Sequence, residues 1–506
     1  MSPRVVVCLA LLGLAGLTAC DRPADLDRPL DAQGPFALSH HVAWTLAADP
    51  AVALLQPATG RVTFAALSAA PRRVFPEPAG RGLLVIGTDG AASWIPADER
   101  GVGQAVRMPL TGDYTAVAFG PDAGRAVLYH APGSSGGVLS NPNQIAILDL
   151  GGGAAIERSL RSFGGEPLGV VLGPPQAVAG ADRQMAWVLA ERYLSVLDLA
   201  APTAREVVVH LTLAEDTRSI RPAQVVFGEV EGAATFFVRA EGSDDLFALT
   251  FPDDAPADEV PRPYLTQLPA GAGPSDVLAL QVADGMRVFT ADPGSATLSV
   301  IDPVTGRRVG VDAGARVSHL LPFRAQRADG EGEGWSALAW DDHGDTVVFV
   351  DLDLLERRRG RALTPLVLGA GVYDLQPLPG RRGAVARDAR NCLLLLDFDA
   401  RTATPLQAGR SLGAVRVDPG GDRIYATVVG DDSADYAVSV DVDTARVTAA
   451  RLPASPGRLL LVPGAGRLVA DHQAAWGWVS VLPLTDLDDD RVQVREGLLL
   501  QGAFDR

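Results

Sequence analysis

The chain has no lysine. All 44 of its basic residues are arginine, set among 61 aspartates and glutamates in 506 residues. The absence excludes a Schiff-base lysine and a P-loop lysine outright. Cysteine is almost as scarce: Cys8, Cys20 and Cys392 are the whole supply. Positive charge is in deficit, with a formal net charge of −17. That balance argues against nucleic acid and against a basic membrane-binding face. No stretch reaches the roughly 20 apolar residues that a membrane-spanning helix needs. No C-x-x-C-H haem-attachment motif is present.

The N-terminus has a different texture from the rest. Met1 to Arg4 is short and carries one basic residue, and Val5 to Gly16 is an apolar run of signal-peptide length. Leu17-Thr18-Ala19-Cys20 follows, and this quartet resembles the lipobox of bacterial lipoproteins. The resemblance implies cleavage before Cys20 and lipid attachment on its sulfur. Residues 1–19 are then a signal peptide, 20–35 a lipidated cysteine with a flexible tether, and 36–506 the folded domain. Loss of Arg4 takes the formal charge from −17 to −18. Cys8 leaves with the signal and Cys20 is acylated, so Cys392 cannot form an intrachain disulfide. In its apolar setting it reads as a small buried hydrophobe.

What the chain has in quantity is a repeat. Apolar strand-like runs ending in an acid recur at Ile145–Asp149, Leu194–Asp198, Leu298–Asp302, Val347–Asp351, Leu393–Asp397 and Val438–Asp441. The closing acids are 49, 104, 49, 46 and 44 residues apart, and Leu246–Thr250 fills the long gap. A period of about 48 residues is that of one propeller blade. The unit from Gly413 parses into four strands, at 414–417, 424–428, 436–440 and 447–450. The closing acid can hydrogen-bond its own backbone two residues on and start a turn. Gly306 can take the left-handed position of a short hairpin loop. These residues, best seen at Ser299 to Gly306 and Ser439 to Thr444, resemble the YVTN family of surface and periplasmic propellers.

The expected fold is all-β: a propeller of four-stranded blades, with about ten repeat units and 8–10 blades. The first unit, Val42 to Leu67, reads as three strands. The apolar run Gly497 to Phe504 is expected to supply the missing one and close the ring.

Candidate chemistry is sparse. Gly133-Ser134-Ser135-Gly136-Gly137 matches G-x-S-x-G without the strand and helix that a nucleophile elbow needs. Asp341-Asp342-His343-Gly344-Asp345 offers metal ligands, but a hairpin turn uses the same letters. Asp486 to Asp490 begins like a calcium loop and lacks its glycine. His40-His41 opens the folded domain with no partner in view, and Arg357 to Arg361 is a basic connection. His130, His210, His319, His343 and His472 lie in separate strands and turns. The long loops at 131–143, 252–263 and 324–334 are candidate interaction surfaces. Cys20 is thus the single assigned site residue, with no catalytic residue, metal or cofactor. The functional expectation is a lipid-anchored envelope protein, periplasmic or cell-surface, whose non-catalytic propeller binds or scaffolds an envelope protein. The alternative is an envelope propeller enzyme, lactonase-like or a quinone-dependent dehydrogenase, which needs polar groups converging on the channel.

Overall fold

Strands b and c of the repeat read as almost continuous apolar runs, and packing explains why. The computed structural model describes residues 30–500 apart from 49, 123, 134–140, 162–164, 179–180, 212–219, 253–258, 327–331 and 407–410. In strand c of the first blade, Ala51–Gln56, the side chains of Val52 and Leu54 pack toward the second blade. Ala53 and Leu55 point the opposite way, toward the last blade. The strand period of two thus serves two cores at once, so neither face can be polar.

Ten antiparallel blades form one ring: 32–66, 71–108, 116–159, 167–210, 221–269, 276–312, 319–367, 372–406, 411–451 and 458–495. We number them 1 to 10, with strands a to d from the channel outward. Among the described residues, helix is confined to Arg359–Ala362 and a few 3₁₀ turns. Each of the ten apolar clusters lies at one junction between neighbouring blades, including the junction of blades 10 and 1. The expected acid-capped turns are present. Asp302 Oδ1 accepts the Val304 N–H at 3.0 Å, and Gly306 has φ +70°. Asp441 accepts both the N–H and the hydroxyl of Thr444, which hold its carboxyl below the usual range.

The closure differs from the sequence expectation. Blade 1 is complete, because Ala32–Ala37 is its strand a and pairs with Val42–Leu46. Residues 32–35 therefore belong to the ring rather than to the tether. The C-terminal strand is not found: Leu498–Leu500 is a 3₁₀ turn, and 501–506 lie outside the described residues. Leu498 and Leu499 instead plug the junction of blades 10 and 1, beside Trp44, Leu460 and Val481. The Gly464 N–H donates to the Ser39 carbonyl at 2.8 Å across the same junction.

The up-and-down order of the strands puts a–b and c–d turns at one rim and b–c and d–a turns at the other. On the a–b/c–d rim, arginines reach from blade to blade. Arg81 donates to the Pro121 carbonyl at 3.0 Å, and Arg125 to the Leu199 carbonyl. Arg183 lies 2.8 Å from both the Asp198 carboxylate and the Glu259 carbonyl. Arg287 meets Glu356 at 3.2 Å, Arg381 meets Asp422 at 2.9 Å, and Arg423 meets Asp486 at 3.3 Å. Arg382 pairs with Glu333.

Candidate functional site

Most sequence candidates fall on turns with structural work to do. Asp341 to Asp345 is the b–c turn of blade 7. His343 there has φ +68°, and the Gly344 N–H closes the turn on the Asp341 carbonyl at 3.0 Å. Asp489 accepts the Arg451 N–H at 2.6 Å, and Asp488 caps the 3₁₀ turn Asp489–Arg491. Arg357 pairs with Asp284 of blade 6. Cys392 is half-buried rather than buried, in the b–c turn of blade 8 just before strand Leu393–Asp397. Its N–H donates to Asp388 at 2.9 Å. The strands flanking the loop at 324–334 run on to Gln326 and restart at Glu333, so that loop is shorter than expected. Cys20 and Ser135 lie outside the described residues, as do parts of the loops at 131–143 and 252–263.

Folding does give the five scattered histidines one property in common. His130, His210, His319, His343 and His472 all sit at the b–c/d–a rim, spread over blades 3, 4, 7 and 10. Several are engaged locally. His130 stacks on Tyr114, whose hydroxyl donates to Glu157 at 2.7 Å. His319 stacks on Trp340 and lies 3.0 Å from Asp342. His472 Nε2 is 2.9 Å from the Ser480 hydroxyl. Among the described residues, no three histidine, cysteine, aspartate or glutamate side chains group as a metal ion would need.

A concavity lies on the other rim, between blades 1 and 2, and its origin is a proline. Pro96 lies in strand c of blade 2, Ala92–Asp98. It has no N–H to offer the outer strand. That strand accordingly breaks into Gly101–Val102 and Val106–Met108, both paired with strand c. Three residues, 103–105, bow out where strand c has two, a local bulge. Gly103 donates to the Pro96 carbonyl at 2.9 Å. A Cβ at position 103 would come 2.7 Å from the proline ring, so the close approach needs glycine there.

The bowed segment and the outer strand of blade 1, Arg61–Ala66, wall a cleft of about 630 Å³. That volume is within the range of small-molecule sites. His41, from the a–b turn of blade 1, forms part of its lining. It is 3% exposed, and its Nδ1 is buried with no hydrogen-bond partner. Burial holds the His41 imidazole below its ordinary pKa, and His40 adds to the effect while Asp98 opposes it. Arg61 and Arg100 stand at the cleft, exposed. Their guanidinium groups make no hydrogen bond or ion pair with any described residue. The sequence singled out His40-His41 but gave no hint of the cleft, because the proline that opens it lies 55 positions from His41.

No protein-family profile matches the chain, and no curated protein matches it. Among solved structures, dihydro-heme d1 dehydrogenase NirN in complex with DHE aligns over 76% of this chain and 74% of its own. The identity is 16% and the TM-score 0.45, a likeness too distant to assign this chain an activity or a cofactor.

Proposed function

We propose that the chain is a lipid-tethered propeller of the cell envelope that binds rather than turns over, with the cleft between blades 1 and 2 as its ligand site. The observation that carries the reading is the cleft itself, a concavity of small-molecule size with Arg61 and Arg100 exposed at it and uncommitted to any described residue. The anchor rests on Leu17 to Cys20 and their lipobox resemblance. Nine residues, 21–29, separate Cys20 from Leu30, which packs into the closure cluster. Such a span reaches at most about 35 Å. Strand a of blade 1 starts at the b–c/d–a rim, where Ala32 pairs with Leu46. The tether on this reading enters at that rim, and the cleft opens at the opposite one. An envelope protein is the expected partner for that outward rim.

The test has an arm for each half. Cys20→Ala should move the protein from the detergent phase to the aqueous phase; unchanged partitioning would sink the anchor. Thr63→Trp should fill the cleft. Native mass spectrometry of protein purified from envelopes should show a co-purifying ligand that this variant loses at unchanged melting temperature. Hydrolysis of a lactone panel, or quinone-dependent dye reduction well above buffer, would replace binding with catalysis.

A further inference from the structure

We infer that the cleft between blades 1 and 2 takes a small carboxylate-bearing polyol, a uronic acid being the simplest example, with Arg61 and Arg100 as its charge partners. The inference rests on the cleft being the binding site proposed above, and adds the class of ligand. In a chain of net charge −17, acids outnumber arginines 61 to 44. On the same rim Arg81, Arg125, Arg287 and Arg423 are committed to carbonyls or carboxylates of the next blade, whereas Arg205, Arg262 and Arg446 are exposed and cross to nothing among the described residues. At the junction of blades 1 and 2, Arg61 and Arg100 cross to nothing among the described residues. A guanidinium fork is matched in shape and charge to a carboxylate. Two acids adjoin Arg100 in sequence, Glu99, which is exposed, and Asp98, whose Oδ1 accepts the Arg100 backbone N–H at 2.8 Å.

The rest of the lining suits a hydroxylated body. Gln56, Gln104 and Thr63 carry amide and hydroxyl groups, and Phe64 adds a ring face. A site with two unpaired guanidinium groups and no lysine rewards planar, two-oxygen recognition over a point charge.

Calorimetry on the full-length protein in detergent tests this with glucuronate, glucose and inorganic phosphate. Glucuronate should bind at least about tenfold more tightly than glucose, and Arg61→Gln or Arg100→Gln should each weaken it about tenfold. Both arginines are exposed, so neither change should move the melting temperature. Thr63→Trp should abolish the signal. Equal binding of glucose and glucuronate, both lost in Thr63→Trp, would overturn the anion class while leaving the cleft as the site. Phosphate binding as tightly as glucuronate would overturn the preference for a carboxylate-bearing body. Glucuronate binding that survives both arginine changes, or no binding at millimolar concentration, would also overturn the inference. Retention of the co-purifying envelope ligand by Thr63→Trp would instead overturn the cleft itself.

Discussion

Asp471 ends strand b of blade 10, Arg467–Asp471, with almost no access to water. Burial pushes its carboxyl up to about 6, against the opposing pull of the Gln473 N–H and of Arg458. A carboxyl raised in the folded state binds more protons folded than unfolded between about pH 4 and 6. Its ionisation therefore subtracts stability above pH 6, and the loss is relieved as pH falls toward 4. Asp471→Asn should stabilise the ring by about 1–3 kcal/mol at pH 8, with the gain fading to nothing near pH 4. Urea unfolding of both proteins across that range is the measurement; a pH-independent difference would contradict the sign. The comparison between variants matters, because buried His41, His130 and His472 act oppositely. Burial lowers each imidazole, so each loses stability as pH falls below its unfolded value. At this scale the sequence was legible where bonding is local. The acids closing strand c cap turns two or three residues on, at Asp149, Asp302, Asp397 and Asp441. His41 was opaque because the cleft beside it is completed by residues 100–105 of another blade.

Strands b and c were easy to read because both faces of each blade are buried. For blade 9 the expected strands at 424–428 and 436–440 lie within Arg423–Val429 and Asp435–Asp441. Strand a of blade 1 escaped notice for the converse reason. It borders the channel, and its sequence AQGPFA begins with two exposed residues, so no apolar alternation marks it. Gly497 to Leu500 misled in the other direction. Three consecutive leucines have no period, so a strand and a buried turn look alike in sequence. The plug they form should still matter. Leu498 and Leu499 are each 2% exposed, and Leu499→Ala should cost about 2–4 kcal/mol. A shift in the midpoint of urea unfolding with unchanged slope would register the loss; an unmoved midpoint would show that the turn is ornamental.

Across the whole molecule, stability is shared among ten similar junctions, each with its own apolar cluster and many with an arginine spanning the rim. At the junction of blades 4 and 5 the bridging ion pair is buried. Arg183 and Asp198 are each about 2% exposed, and Arg183 also holds the Glu259 carbonyl of the next blade. Arg183→Ala would leave Asp198 buried without its cation, at an expected cost of about 3–5 kcal/mol. Thermal unfolding should fall accordingly, and a change within about half a kcal/mol would show that water replaces the arginine.

Among the described residues no blade is assembled from both ends of the chain: strand a of blade 1 and strand d of blade 10 each stay with their own neighbours in sequence. Among the described residues the ring is therefore shut by contacts between two whole repeats, side-chain packing together with the Gly464 to Ser39 main-chain bond, not by a strand borrowed from one terminus to complete the other. A gene for such a ring can gain or drop an intact repeat without severing a β-ladder. The same independence lets the chain be cut at a d–a connection and rejoined at its old ends. Ring size in this architecture is thus free to drift one blade at a time, and the cleft, built on the peculiar outer strand of blade 2, would travel with its two blades.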